Sequence, residues 1–381
     1  MLFRRVLLAA LALTLLGASS TAQTSAPTAR WTPQQANAWY SQQPWLVGAD
    51  YIPANAINQL EMWQADTFDP QQIDKELGWA QSIGMNTMRV FLHDLLWQQD
   101  PAGFRNRIRT FLEICDKHHI RPIFVLFDSC WDPFPHLGPQ PAPKPGIHNS
   151  GWVQSPGAIA LDDPSQVPRL KLYVTGVIAA FANDRRVLAW DLWNEPDNPN
   201  DGSYSAHEPK DKQQRVLALL PQVFAWARSS RPSQPLTSGL WQGDWSSYTA
   251  LSPTARVQVD GSDIISFHNY SGPQNFEKAI LDLGKFGRPL ICTEYMARTT
   301  GSTFSAILPI GRRYNVAAIN WGFVAGKTQT YFPWDSYQHP YIDHPPAVWH
   351  HDIFYADGKP YRPEEIALIR QLTGRGSPPA K

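Results

Sequence analysis

Two glutamates in the 381-residue chain stand where a charge is expensive. Glu195 ends the run Val187-Leu188-Ala189-Trp190-Asp191-Leu192-Trp193-Asn194-Glu195-Pro196. Glu294 follows Pro289-Leu290-Ile291-Cys292-Thr293 and precedes Tyr295. Each is a carboxylate just past a segment that reads as a buried strand, and a buried carboxylate must be paired or used. One such glutamate alone reads as a capping or salt-bridge group. Two at matching strand ends suit the hydrolysis of a glycosidic bond. In that reaction one carboxyl protonates the leaving oxygen, and the other attacks the anomeric carbon or activates water.

The elements that must position them recur as an apolar strand followed by an amphipathic helix. Strands are expected at Leu46–Ile52, Thr87–Leu92, Pro122–Phe127, Val187–Trp193, Pro235–Leu240, Ile264–His268, Pro289–Thr293 and Ala317–Gly322. These short continuous apolar runs are how strands buried on both faces read. Asp69-Pro70 supplies a cap and a first-turn proline for one helix, with Ile73, Leu77 and Ala80 at helical spacing. Further helices are expected at Phe104–His118, Val167–Ala182, Lys212–Ala227, Phe276–Phe286, Phe304–Tyr314 and Pro363–Leu372. No convincing long helix falls between Leu240 and Ser262. Eight such units close an α/β (β/α)8 TIM barrel, in which the loops after the strands build the active site. An open doubly wound sheet is the alternative, but Gly48-Ala49-Asp50-Tyr51 after the first strand is not a dinucleotide-binding turn. Long loops follow strands 3, 4 and 8 and carry much of the Pro and Trp, and loops of that length are usually functional. No Gly/Ser-rich linker interrupts residues 23–373, so one domain is expected, with residues 374–381 a flexible C-terminal tail.

On these motifs the sequence resembles the clan A glycoside hydrolases, retaining (β/α)8 enzymes that include cellulases, mannanases and xylanases, and it looks most like family 5. Trp193-Asn194-Glu195-Pro196 matches the fourth-strand motif, which implies Glu195 as acid/base. Thr293-Glu294-Tyr295 matches the seventh-strand context, which implies Glu294 as nucleophile. Arg89 sits where the family has an arginine that supports the nucleophile. His268-Asn269-Tyr270 resembles the sixth-strand His-x-Tyr, whose Tyr270 position contacts the nucleophile. Trp321 resembles the tryptophan that floors the subsite of the cleaved sugar. A retaining mechanism implies carboxyl groups roughly 5–5.5 Å apart. Glu195 is then expected to be raised by burial and by the charge of Glu294, and Glu294 to be kept ionised by Arg89 and Tyr270. Asn194 suits the sugar 2-hydroxyl, and His268 suits orientation of Glu195 or a sugar hydroxyl. Ordinary structural roles compete for some of these positions: a buried ion-pair member for Arg89, a core histidine for His268, barrel filling for Trp321.

The chain departs from the family at the third strand, where a histidine is usual and Phe127-Asp128-Ser129-Cys130-Trp131 stands instead. His93-Asp94 is the expected partial substitute. Trp131, Trp152 and His148 of the long third loop are expected to wall off one end of the cleft, and Asn58–Trp63 to add a further sugar wall or surface packing. His118-His119 reads as a solvated pair at the far end of the barrel. His344, His350, His351 and Asp352 form a denser group whose spacing matches no strong zinc pattern.

Composition sets the outer bounds. The chain is 43% hydrophobic and 17% charged, with 33 basic and 33 acidic residues. A zero net charge argues against nucleic acid as the main partner. Three cysteines (Cys115, Cys130, Cys292) rule out a multi-disulfide scaffold, and a Cys115–Cys130 pair is not favoured because the two belong at different ends of the fold. Residues 1–22 read as a secretory signal peptide: Arg4 and Arg5, the apolar run Val6 to Leu16, then Ser20-Thr21-Ala22. The expectation is an exported protein, periplasmic or secreted, with no membrane span after cleavage. Walker, dinucleotide, His-Glu-x-x-His and Gly-x-Ser-x-Gly motifs are missing, so the leading reading calls for no cofactor and no metal. It takes a β-linked oligo- or polysaccharide as partner. Two rivals stand beside it. One is a non-catalytic carbohydrate-binding protein on the same barrel, which the intact glutamates oppose. The other is a metal-dependent carbohydrate hydrolase or deacetylase using His268 or the His350–Asp352 cluster.

Overall fold

Strands that are apolar on both faces need cover on both faces, and the computed structural model, which describes residues 29–375, supplies it by closing a barrel. Its strands are β1 (Val47–Asp50), β2 (Thr87–Phe91), β3 (Arg121–Asp128), β4 (Ala189–Asn194), β5 (Leu236–Thr237), β6 (Ile265–His268), β7 (Leu290–Glu294) and β8 (Ala317–Asn320). They pair in parallel in the order β5-β4-β3-β2-β1-β8-β7-β6. The ring closes between β5 and β6, where Leu240 N donates to Ser266 O (3.0 Å) and His268 N to Leu240 O (2.7 Å). This is a (β/α)8 barrel with all eight strands in the expected order. β5 is shorter than its apolar run, because only Leu236 and Thr237 stay in register with β4.

The flanking helices follow their signals. Asp69 caps Pro70–Ser82 by accepting from Gln71 N and Gln72 N. Pro101–Lys117 buries Phe104, Ile108, Phe111, Leu112 and Cys115 along one stripe. The segment between Leu240 and Ser262 does hold a helix, Pro253–Gly261, which Ser252 caps before a first-turn proline. Inside the barrel, Ile123, Ala189, Ile264, Ile291, Ala317 and Ile319 form an apolar plug. Helix Pro33–Tyr40 seals it from below with Ala36 and Tyr40. Polar chemistry is therefore confined to the opposite mouth, where the strands end. Among the described residues no helix is long and apolar enough to cross a membrane. The expected signal peptide (1–22) and residues 376–381 of the expected tail lie outside the described residues.

Three local expectations are corrected. Asn58–Trp63 is not a sugar wall: Gln59–Trp63 is a helix capped by Asn58, and Trp63 packs on Phe104 and Phe111 in the core. His118 is not solvated, because Asp74 Oδ1 (2.7 Å) and Gln81 Oε1 (3.0 Å) hold its two ring nitrogens; its neighbour His119 is exposed. Trp152 lies behind the cleft rather than lining it, edge-on to Phe91 and Trp321, with its N–H donated to Asp128 Oδ2 at 2.6 Å.

Candidate active site

β4 and β7 end on the same side of the ring and bring Glu195 and Glu294 together. His268, at the end of β6, stands between them. Its Nδ1 is 2.7 Å from Glu195 Oε1 and 3.5 Å from Glu294 Oε2. One donor atom from each of the three residues falls in a group whose members lie within 4.8 Å of one another. Glu195 adopts φ 41°, a left-handed conformation that a non-glycine residue rarely holds. Such strain persists only where the surroundings over-determine it. Here Asn198 N bonds back to Glu195 O (3.0 Å), Asn198 Nδ2 donates to Glu195 Oε2 (2.6 Å), and Cys130 Sγ donates to the same oxygen (3.3 Å).

Glu294 is held differently. Arg89 Nη1 donates to its Oε1 at 2.8 Å and the Tyr270 hydroxyl to its Oε2 at 2.7 Å. Arg89 rises from β2 and is fully buried. It also meets Asp50 (2.9 Å) and Asp191 (2.9 Å), and gives a hydrogen bond to Asn194 Oδ1 at 2.6 Å. Burial works against its charge, but Asp191, Asp50 and Glu294 outweigh it and hold the guanidinium protonated above its ordinary range. Burial pushes Asp50 well up, against the pull of Arg89.

Burial also raises the Glu195 carboxyl; Asn198, Cys130 and Arg89 oppose it, and Asp197 is the like charge that adds to the rise. Burial raises Glu294 too, with Glu195 adding repulsion, while Arg89 and the Tyr270 hydroxyl pull it back. The two carboxyls are unequal, because only Glu294 touches a cation. Burial lowers His268 to about 4, so its ring is neutral at pH 7. Gly239 makes the room for that ring: a Cβ there would lie 2.9 Å from His268 Nε2.

Two chambers meet at Glu195. The larger, about 590 Å³, is lined by Glu294, Asn194, Trp321, Trp131 and His148 among others. The smaller, about 440 Å³, is lined by Glu195, His268, Asn269, Asn275 and Lys278 but not by Glu294. Trp241, Gln242, Tyr270 and Trp334 border both. The structure thus brings together Glu195, Glu294, Arg89, Asn194, His268, Tyr270, Trp321 and Trp131. Asn194 has both amide atoms engaged within the protein, Oδ1 by Arg89 and Nδ2 toward Asp128 Oδ1 (2.9 Å).

Other expected residues stand elsewhere. His93 does not replace the third-strand histidine: it is buried, caps helix Asp94–Gln99, and its Nε2 is 3.0 Å from Gln154 O. His350, His351 and Asp352 are buried behind Trp334, and His344 is exposed apart from them. The rings of His148, His350 and His351 pack 4.3–6.2 Å apart. Nδ1 of His148 faces Phe332 O (2.8 Å) and that of His351 faces Met296 O (2.5 Å), so both carry hydrogen, since a carbonyl can only accept. Burial lowers His148 to about 4 and His350 to about 3. Among the described residues, the group whose donor atoms converge enough to hold a metal ion is Glu195, His268 and Glu294 instead. Cys115, Cys130 and Cys292 are all free and buried, and Cys115 lies on Pro101–Lys117 while Cys130 touches Glu195.

Asp50, Asp191, Asn198, Trp241 and Tyr337 were not among the expected site residues, whereas Trp334 lies in the long eighth-strand loop whose Pro and Trp content marked it as functional. Asp50 and Asp191 carried the same signal as the glutamates, an acid within an apolar strand. Asn198, Trp241 and Tyr337 carried none.

No protein-family model matches the sequence, and no curated protein does. Solved structures do match in fold. An exo-β-1,4-mannosidase from Opitutaceae bacterium strain TAV5 superposes with TM-score 0.57 at 20% identity over 87% of this chain, which spans 60% of that protein's length. GH5_18 from Streptomyces cattleya, in complex with GlcNAc, gives 0.58 at 12% identity over 87% of this chain and 81% of its own. The endo-β-1,4-mannanase from Thermotoga petrophila gives 0.52 at 14% identity over 88% of this chain and 77% of its own. At such identities the likeness establishes the barrel.

Proposed function

We propose that the protein is a retaining β-glycoside hydrolase, with Glu195 as acid/base and Glu294 as nucleophile. The observation that carries this is the meeting of the two strand-end carboxyls at His268, with donor atoms of all three within 4.8 Å of one another. With their nearest oxygens no more than 4.8 Å apart, the two carboxyls agree better with a retaining pair, roughly 5–5.5 Å apart, than with an inverting pair, roughly 6.5–9.5 Å apart to admit water. The unequal surroundings support the division of labour. Glu294, beside Arg89 and Tyr270, is the carboxylate. Glu195, with neutral donors only, keeps the proton.

In the first step a Glu294 oxygen bonds to the anomeric carbon as the glycosidic C–O bond breaks, and Glu195 gives its proton to the departing oxygen. In the second, Glu195 takes a proton from water, whose oxygen displaces Glu294 from the same carbon. The chamber holding Glu294 and Trp321 takes the cleaved sugar. Trp321 offers an apolar face to the ring, and Arg89 stabilises Glu294 as the carboxylate that water displaces. β-1,4-mannosides are the first substrates to try, a choice supported by the names of two fold neighbours, an exo-β-1,4-mannosidase and an endo-β-1,4-mannanase. The reading of residues 1–22 as a signal peptide supports export to the periplasm or medium.

The test is mass spectrometry of products from β-mannans, β-glucans, xylans and aryl β-glycosides, with Glu294→Ala as blank. Wild type alone is expected to cleave. Glu195→Ala is expected to keep the first step on aryl glycosides with good leaving groups and to slow the second. Wild-type rates in both variants refute the assignment.

A further inference from the structure

The larger chamber is walled by loops that have bonded to one another. Gln329 Nε2 of the β8 loop donates to Lys144 O (2.7 Å) and Ile147 O (2.9 Å) of the β3 loop. Asn149 N donates to Thr328 O (2.8 Å), His148 N to Ser336 Oγ (2.9 Å), and Tyr341 N to Gly146 O (3.0 Å). The last contact needs glycine: Gly146 has φ +70°, and a Cβ would lie 2.5 Å from the Tyr341 backbone. Trp131 stacks on Tyr337 at 5.1 Å with the rings 13° apart. The β8 loop then continues across the mouth, where Gln338 Nε2 donates to Gly202 O at 2.8 Å. Gly202 belongs to the loop after β4, the strand opposite β8 in the ring. Trp131 N donates to Asn200 Oδ1 (2.7 Å), tying the β3 and β4 loops as well. Three loops are thus joined pairwise around one chamber.

In a retaining reaction the nucleophile bonds to the anomeric carbon of the sugar being released. Every sugar on the non-reducing side of the cut must therefore sit in the nucleophile's chamber. Glu294 lines the loop-walled chamber, while the other chamber holds Glu195 without Glu294. At about 590 Å³ the first is the size of a small-molecule site rather than a polymer groove. We propose, resting on the glycosidase reading above, that this is a blind chamber for the glycone. The enzyme then removes short glycones from the non-reducing ends of β-linked chains and does not cut within them. The Trp131–Tyr337 stack and the Gln338–Gly202 bridge are the specificity-determining wall.

The experiment measures initial release of 4-nitrophenol from β-mannosides, β-glucosides and β-xylosides carrying one to four sugars of the same kind. Nitrophenol leaves directly only if the whole glycone fits on the nucleophile's side. The expected result is release from the shortest glycones and its loss at the longest, in whichever sugar series is accepted. Release that holds or rises up to four sugars overturns the blind chamber and leaves Glu195 and Glu294 in their roles. No release from any compound at any length overturns the glycosidase reading, and this inference with it.

Discussion

Replacing Tyr270 by Phe removes one hydroxyl from the nucleophile and nothing else near it. The ring can keep its edge-on contact with Trp334 (5.0 Å), so the wall stays in place. The hydroxyl is a donor throughout the working range, because burial and the neighbouring Glu294 push its own ionisation far up. Its 2.7 Å bond to Glu294 Oε2 favours the carboxylate, so its loss favours the acid form. A hydrogen bond to a charged group is worth about 1.5–3 kcal/mol, and 1.36 kcal/mol corresponds to one pKa unit, so the Glu294 pKa should rise by about one to two units. The nucleophile must be ionised, so its titration forms the ascending limb of kcat/KM against pH. That limb should move to higher pH by the same amount. The descending limb reports Glu195, which Tyr270 does not touch, and should move far less. Asn198→Ala is the mirror experiment. It removes a 2.6 Å donor from Glu195 Oε2, stabilises the protonated acid, and should carry the descending limb upward. Profiles on an aryl glycoside, with thermal melts to confirm folding, decide the matter. If Tyr270→Phe folds normally and moves only the descending limb, or neither, the assignment of roles is wrong.

Other expectations follow from the same contacts. Arg89→Met leaves Asp50, Asp191 and Glu294 buried without their cation, and a urea unfolding series should show a loss of about 3–5 kcal/mol; a loss below about 1 kcal/mol contradicts the reading of Arg89 as the hub. Gly239→Ala puts a Cβ 2.9 Å from His268 Nε2 and should displace the ring that holds Glu195. Its kcat should fall about a hundredfold on glycosides with poor leaving groups, which need the acid, and much less on nitrophenyl ones; equal losses on both sever His268 from the acid. Exhaustive EDTA treatment should leave turnover unchanged, whereas added Zn²⁺ should inhibit in competition with substrate through Glu195, His268 and Glu294; loss of activity on chelation favours a metal-dependent hydrolase.

The legible and illegible parts of the chain separate by range. Strands such as Thr87–Phe91 announce themselves because a barrel strand is covered on both faces, so its whole run is apolar. Acids and bases embedded in such runs are equally visible, and Arg89, Glu195, His268 and Glu294 do converge. Asp50 and Asp191 could have been read by the same rule. Short helices such as Asp94–Gln99 have too few turns for periodicity, so His93 looked like a site residue instead of a cap. The third-loop side of the chamber wall was legible, since Trp131 and His148 do line it, but the partners that hold the wall together were not. Trp131 meets Tyr337, and His148 meets Ser336 at a sequence separation of 188 residues. Nothing in either segment alone specifies its partner.

That separation bears on how the protein comes into being. As the chain emerges from the ribosome, Glu195 and Glu294 both precede the β8 loop. Lys144, Ile147 and His148 must wait for Gln329 and Ser336 before their bonds can form. Pairings this distant in sequence form slowly, since loop closure must come before contact. The contact of Arg89 with Glu294 spans 205 residues, so the nucleophile's setting and the chamber wall are both long-range products of the closed barrel rather than of any local segment.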